Sequence, residues 1–258
     1  MTKDPDEKED PGDGLPRMSF LEHLEDLRQR LVWSAVAIAG GFMLCWWKSR
    51  EIFQFLQVPV IAALPKGTKL AYTNLTEPFM LYVNIALLAG VILASPVILW
   101  QIWLFVAPGL YRHEKRWAAP FIFLSVFFFA LGVTFGYKVA FPMVATFLVS
   151  TGEDFMPVIK IDDYLSILSQ VLLGLGAVFQ MPIFIFFMVR MGVVTEKWLL
   201  LKLRYAILVI FVIAAVITPT PDIPTQCAFA LPMIALYLLG IALAWLVKPK
   251  ARDAKLAG

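Results

Sequence analysis

Six long apolar runs limit what this chain can fold into. They occupy residues 31–47, 79–104, 118–149, 164–189, 205–218 and 226–247. A bilayer core about 30 Å thick is crossed by roughly 20 apolar residues of α-helix. Hydrophobic residues make up 60% of the chain and charged residues 16%, a balance far from that of soluble domains. The runs therefore predict an all-α integral membrane protein with six transmembrane helices.

Proline is placed inside most of these runs. A proline within a helix removes one backbone hydrogen bond and bends the helix. Bent helices favour a cupped bundle over a cylindrical one. The prolines in question are Pro96, Pro120, Pro142, Pro182 and Pro232. The fifth run is short, since 14 helical residues cover only about 21 Å. It must borrow flanking residues, or the bilayer must thin beside it.

The segments outside the runs predict one membrane domain with two tails. Residues 1–18 are rich in Asp and Glu, which is typical of a disordered acidic tail. The membrane domain then covers residues 19–247, and a C-terminal tail covers 248–258. The first loop, 48–76, favours a helix lying at the membrane interface because apolar side chains occur there among polar ones: Ile52, Phe53, Phe55, Leu56, Val60 and Ile61.

Lysine and arginine are unevenly distributed between the two sides of the predicted bundle. The N-terminal segment, the loops on its side and the C-terminal tail carry 14, whereas the opposite loops carry five. Cytoplasmic loops are the ones enriched in Lys and Arg. Both termini are therefore predicted to be cytoplasmic. Cys45 and Cys227 lie in apolar runs without a CxxC pair, so neither a metal site nor a disulfide is predicted.

Four motifs follow one another along the chain. An amphipathic start, SFLEHLEDLRQRL, covers 19–31, and a tight inner loop, APGLYRHEKR, covers 107–116. FQMP lies inside the fourth run at 179–182, and ITPTPDIPTQ fills the last outer turn at 217–226. Any one of these would be a weak signal, but their order on the helices and loops is specific.

Together the motifs resemble the TatC family, the multi-spanning subunit of the twin-arginine protein translocase. The resemblance covers residues 19–247 and has three departures. Asp26 stands where the family usually has Glu, which keeps the charge and shortens its reach. Gln180 is an amide and cannot titrate as a carboxylate would. Asn84 occupies a position where many relatives carry Lys.

The resemblance implies a receptor rather than an enzyme, with no cofactor. Such a subunit binds twin-arginine signal peptides of folded proteins and exports them with TatA- and TatB-type single-helix partners, driven by the proton motive force. It would self-associate in a larger complex of the bacterial inner membrane and bind no nucleic acid. The implied cytoplasmic site comprises Glu22, Glu25, Asp26, Arg28, Phe105, His113 and Glu114. Gln180 is the intramembrane polar candidate, and Pro59 and Asp222 are the outer-loop candidates.

Plainer interpretations compete for several of these residues. Loop carboxylates usually form weak, solvated charge pairs. Gln180 either faces the cup or hydrogen-bonds a neighbouring helix, and Asp222 either caps a helix or contacts a partner. A small-molecule or ion transporter would instead use Asn84, Lys138 and Gln180 to line a path. An intramembrane hydrolase would need paired intramembrane aspartates, a Ser with a His, or HExxH, and the six apolar runs contain none of these.

The 14-to-5 count gives a direct test of topology. Single cysteines introduced into the C-terminal tail should react only with a membrane-permeant thiol reagent in intact cells. Cysteines introduced into the 48–76 loop should also react with an impermeant one. Labelling of the tail by the impermeant reagent would contradict the predicted orientation.

Overall fold

The computed structural model describes residues 20–64, 70–106, 118–152, 154–155, 158–218 and 222–246, and these fold almost entirely as helices. The predicted tails, 1–18 and 248–258, lie outside the described residues. The helices are α1 Phe20–Trp47, α2 Ser49–Leu56, α3 Val58–Ala63, α4 Glu77–Val106, α5 Ala118–Phe135, α6 Phe141–Thr151, α7 Ile161–Val178, α8 Met181–Arg190, α9 Glu196–Leu201, α10 Leu203–Ile217 and α11 Ile223–Leu246.

Among the residues that the structure describes, five helical segments are long and apolar enough to cross a membrane. They are His23–Trp47, Glu77–Phe105, Pro120–Thr151, Ile161–Arg190 and Ile223–Trp245. The all-α prediction is confirmed, and the five segments match five of the six predicted spans. The sixth, α10, has only 15 residues and covers about 22 Å. Whether α10 crosses the membrane by itself stays a prediction.

Two glycines bring the C-terminal part of α1 close to the middle of α4. A Cβ added at Gly41 would lie 2.5 Å from the carbonyl oxygen of Gly90, and one added at Gly90 would lie 2.6 Å from the backbone nitrogen of Phe42. Small residues allow membrane helices to approach this closely, and close packing replaces the hydrophobic effect that lipid does not supply. The pair Gly41–Gly90 therefore fixes where α1 contacts the rest of the bundle.

The third predicted span is one continuous helical segment with a π-helical turn. The turn covers Gly136–Ala140 and joins α5 to α6, two residues before Pro142. A proline cannot donate the backbone hydrogen bond of a regular helix, and a π-turn changes the bonding pattern where that bond is missing. The bend predicted at Pro142 thus corresponds to a local change of helix type.

The fourth predicted span, 164–189, is two helices rather than one. α7 ends at Val178, α8 begins at Met181, and Pro182 lies in the first turn of α8. Proline is tolerated there because its missing N–H belongs to the unpaired first turn. The expectation of a single bent helix is corrected to a break at Phe179 and Gln180.

Between α1 and α4, the first loop contains the two short helices α2 and α3. The helix expected in this loop is present as a pair, with α3 beginning just before Pro59, and its position at the membrane interface stays a prediction. The Tyr137 hydroxyl donates to the carbonyl oxygen of Phe55 over 2.6 Å and holds α2 against the π-turn. An isolated parallel bridge joins Ala71 to Lys160 and connects this loop with the segment that precedes α7.

The glycine contact predicts unequal effects of the same substitution at two adjacent positions. Gly41→Ala should force α1 and α4 apart and lower stability by about 1–3 kcal/mol, the usual cost of overpacking. Gly40→Ala is the matched control, since a Cβ there meets no atom within 4 Å. Thermal unfolding in detergent measures both. Equal midpoints for the two variants would show that the close approach does not hold α1.

Candidate functional site

The N-terminal part of α1 presents one half-buried stripe formed by His23, Asp26 and Arg30. Residues three, four and seven apart lie on one face of a helix. The His23 ring stacks on Phe105 near the end of α4, with ring centroids 4.4 Å apart and an interplanar angle of 21°. The stripe therefore faces the C-terminal end of α4.

Asp26 holds a guanidinium group from its own helix. The Arg30 Nε donates to Asp26 Oδ2 over 2.8 Å, and Arg30 Nη2 lies 2.8 Å from Oδ1. Both carboxylate oxygens are thus engaged by the planar fork of one arginine, the bidentate geometry of a strong charge-assisted pair. The carboxylate expected to receive an arginine already binds one.

The structure brings together only part of the predicted cytoplasmic site. Phe105 stacks on His23, and Asp26 lies on the same half-buried face of α1 as His23. Glu25 and Arg28 are exposed on other faces of α1. Glu22 lies in α1, but its side chain, together with His113 and Glu114, falls outside the described residues. Sequence reasoning chose Arg28 and missed Arg30, although only Arg30 stands four residues from Asp26.

A hydrogen-bonded chain inside the membrane joins three helices. The Gln180 Nε2 donates to the carbonyl oxygen of Ser125 over 2.9 Å, and the Trp103 Nε1 donates to Ser125 Oγ over 2.6 Å. Ser125 is fully buried, and the Trp103 ring meets Phe187 edge-on at 5.0 Å. Gln180 therefore bonds a neighbouring helix, one of the two roles expected for it. No local signal in the sequence linked Gln180 with Ser125 or Trp103.

The two outer-loop candidates have local structural roles. Asp222 Oδ2 accepts a hydrogen bond from the Thr225 N–H over 2.7 Å, and the Asp222 carbonyl accepts one from Gln226 N over 3.1 Å. This is the geometry of a helix N-cap for α11. Pro59 is half-buried in the first turn of α3. Contact of either residue with a partner stays a prediction.

Similarity to known proteins decides the family. The family model of the Sec-independent protein translocase protein (TatC) matches residues 22–232. The chain belongs to the TatC family. It is 50% identical over 243 residues to the TatC protein of Koribacter versatilis, covering 93% of this chain and 90% of that protein. The TatC protein of Desulforapulum autotrophicum is 44% identical over 225 residues, with 86% and 82% covered.

Solved TatC structures have the same fold. A crystal structure described as the twin arginine translocase receptor TatC superimposes with a TM-score of 0.75 at 35% identity, covering 87% of this chain and 99% of that chain. A second, obtained in DDM, gives a TM-score of 0.77 with 86% and 99% covered. The resemblance drawn from the four motifs is confirmed.

Membership of the TatC family identifies a membrane-embedded component of a protein translocase rather than an enzyme. The alternative of a small-molecule transporter is wrong on this ground. The side chains expected to line its path do not converge in the structure either. Asn84 and Lys138 are exposed, and the Gln180 amide is bound to the backbone of α5.

The hydrogen-bonded chain predicts that Gln180 is needed for export. Gln180→Leu leaves the Ser125 carbonyl without this donor, which should weaken helix association by about 0.6–2 kcal/mol and impair export. Gln180→Glu should be partly tolerated, because a protonated carboxyl group can still donate.

Gln170→Leu is a matched control, since Gln170 also donates to a neighbouring helix, at the carbonyl of Val216 over 2.7 Å, but is exposed. Export of a twin-arginine reporter protein measures all three variants. Full export by Gln180→Leu would show that the hydrogen bond is dispensable.

Proposed function

We propose that this chain is the receptor subunit of a twin-arginine translocase and binds the signal peptides of folded proteins from the cytoplasmic side. TatA- and TatB-type single-helix subunits and further copies of the chain complete the complex, and the proton motive force drives export. The protein lies in the bacterial inner membrane with both termini in the cytoplasm. The positive charge of the predicted inner loops supports this orientation.

The bidentate Asp26–Arg30 pair is the observation that carries the proposal. In this pair the Asp26 carboxylate accepts both N–H groups of one guanidinium fork, with distances of 2.8 Å, which supports a role for Asp26 in binding a second group of the same shape. An arginine side chain of a bound peptide presents the same fork. A lysine ammonium is a point charge and cannot reproduce it.

The sequence offers the Glu114 carboxylate as a partner for the second arginine of the peptide. Asp26 shares a face of α1 with His23, which stacks on Phe105 near the end of α4, and Glu114 follows Phe105 by nine residues in the sequence. Two consecutive guanidinium groups could then each bind one carboxylate. Asp26 and Glu114 are accordingly the residues to which we assign arginine binding, with Phe105 as an apolar neighbour.

The arginines cannot supply the whole affinity. Charge-assisted hydrogen bonds contribute about 1.5–3 kcal/mol each, so two arginines supply roughly 3–6 kcal/mol. Association costs an estimated 4–15 kcal/mol in lost freedom. Burial of the apolar stretch of the peptide, at about 25 cal/mol per Å², must provide the rest. The arginines therefore decide which peptides bind, and apolar burial decides how long they stay.

The exposed apolar surface of α1 supports the expected partners. Leu44 is 69% exposed and Trp47 is 91% exposed in the isolated chain. Lipid or a single-helix subunit would cover these side chains in the assembled translocase. Such a surface is compatible with a subunit that works in a larger membrane complex.

Carboxylate substitutions test the proposed site. Asp26→Asn or Glu114→Gln should weaken binding of a twin-arginine peptide about tenfold or more, because the amide loses both the charge and half of the acceptors. The same substitutions should affect a twin-lysine peptide only slightly. Peptide binding to the protein in membranes measures both effects.

Glu196→Gln is the matched control, since Glu196 is an acid on the same predicted side, in α9, and away from the stripe. A double-mutant cycle between receptor carboxylates and peptide arginines should give a clear coupling energy. Simple additivity would mean that Asp26 and Glu114 do not contact the arginines.

A further inference from the structure

We infer that Arg30 is an internal competitor of the signal peptide: it occupies the Asp26 carboxylate in the resting protein and must leave before a peptide arginine can bind there. The inference rests on the proposed function, because it takes Asp26 as an arginine-binding residue. Arg30 would thus influence the affinity for the signal peptide without contacting the peptide in the bound state.

The geometry makes the two guanidinium groups exclusive. Arg30 uses Nε and Nη2 to engage both oxygens of Asp26, so its fork fills the orientation that a peptide arginine would need. The two side chains are only 20% and 19% exposed, for Asp26 and Arg30 respectively. Because about four-fifths of each side chain is already covered, we expect a second planar group to bind the carboxylate only after Arg30 has left it. Peptide binding is therefore an exchange of one arginine for another.

The competitor is weak enough to be displaced. Salt bridges between residues four apart on a helix are among the weaker ion pairs in proteins, even where the geometry is good. The equilibrium between the closed Asp26–Arg30 pair and the open carboxylate should therefore reduce the affinity of an incoming cation by about two- to fivefold.

Competition of this kind raises the peptide concentration needed for binding and leaves the preference for arginine over lysine peptides unchanged. Every incoming cation must displace the same Arg30, so peptides with arginine and with lysine are weakened by the same factor. The ratio of their affinities depends only on how each binds the open carboxylate. At a fixed peptide concentration, however, the weaker lysine peptides fall below detectable occupancy first. Arg30 thus prevents detectable binding of weak signal peptides by lowering the affinity for all peptides.

A purely structural role for Arg30 makes the opposite prediction. If the ion pair only stabilises α1 or orients Asp26 for the peptide, loss of Arg30 should leave peptide affinity unchanged or reduce it. The sign of the change in affinity therefore separates the two roles.

The test uses the full-length protein in membrane nanodiscs, with a synthetic twin-arginine signal peptide and its twin-lysine counterpart. Arg30→Gln should raise the affinity for both peptides by about two- to fivefold and leave their ratio unchanged. Arg30→Lys keeps the charge, loses the fork and should give a smaller gain. Gln29→Ala, at an exposed neighbouring position of α1, should change nothing.

The same substitution in an Asp26→Asn background distinguishes competition from long-range repulsion. Arg30→Gln should give no gain there, because no carboxylate remains to be released. A gain that persists would mean that Arg30 merely repels cationic peptides, and the inference would be wrong. Suppose that Arg30→Gln and Arg30→Lys leave the affinity unchanged or lower it, while Asp26→Asn still weakens binding of the arginine peptide. The inference that Arg30 competes would then be wrong, and the proposed receptor function would stand. If Asp26→Asn has no effect on peptide binding, both the inference about Arg30 and the assignment of arginine binding to Asp26 are wrong.

Discussion

The structure depends on one constraint, namely that a backbone in hydrocarbon must satisfy its own hydrogen bonds. The break between α7 and α8 shows how the chain meets it. The Gln180 N–H bonds to the carbonyl of Ala177 over 3.0 Å, and the Gln180 carbonyl accepts from Ile183 and Phe184. The backbone stays paired on both sides of Pro182. The Gln180 side chain is then left to bond across to α5.

Close approach of helices is the second consequence of the lipid environment. Lipid tails are as apolar as the side chains, so helices associate through tight packing and hydrogen bonds between them. The backbones of α1 and α4 meet at Gly41 and Gly90, and Gly240 of α11 packs against Pro182 at the start of α8. The Trp103–Ser125–Gln180 chain adds polar contacts between α4, α5 and the turn that joins α7 to α8.

Sequence alone predicts what is local and repetitive. The apolar runs predicted the five spanning segments and the short α10. The mixed polarity after Trp47 predicted helix formation in the first loop. The division at Gln180 was missed because the hydropathy of 164–189 is continuous, and α9 was missed because it has only six residues. The partners of Gln180 lie on helices distant in sequence. The Asp26–Arg30 pair could have been predicted from the sequence, because a helical period of 3.6 residues places Arg30, and not Arg28, beside Asp26.

The bridge between Ala71 and Lys160 has a consequence for how the family can diverge. It consists of two backbone hydrogen bonds, from Ala71 N to the Ile159 carbonyl over 2.9 Å and from Ile161 N to the Ala71 carbonyl over 3.0 Å. No side chain takes part, so nearly any residue at these positions preserves the link. Only proline at 71 or 161 removes a donor. Two segments far apart in the chain can therefore change their residues independently without loss of the connection between them.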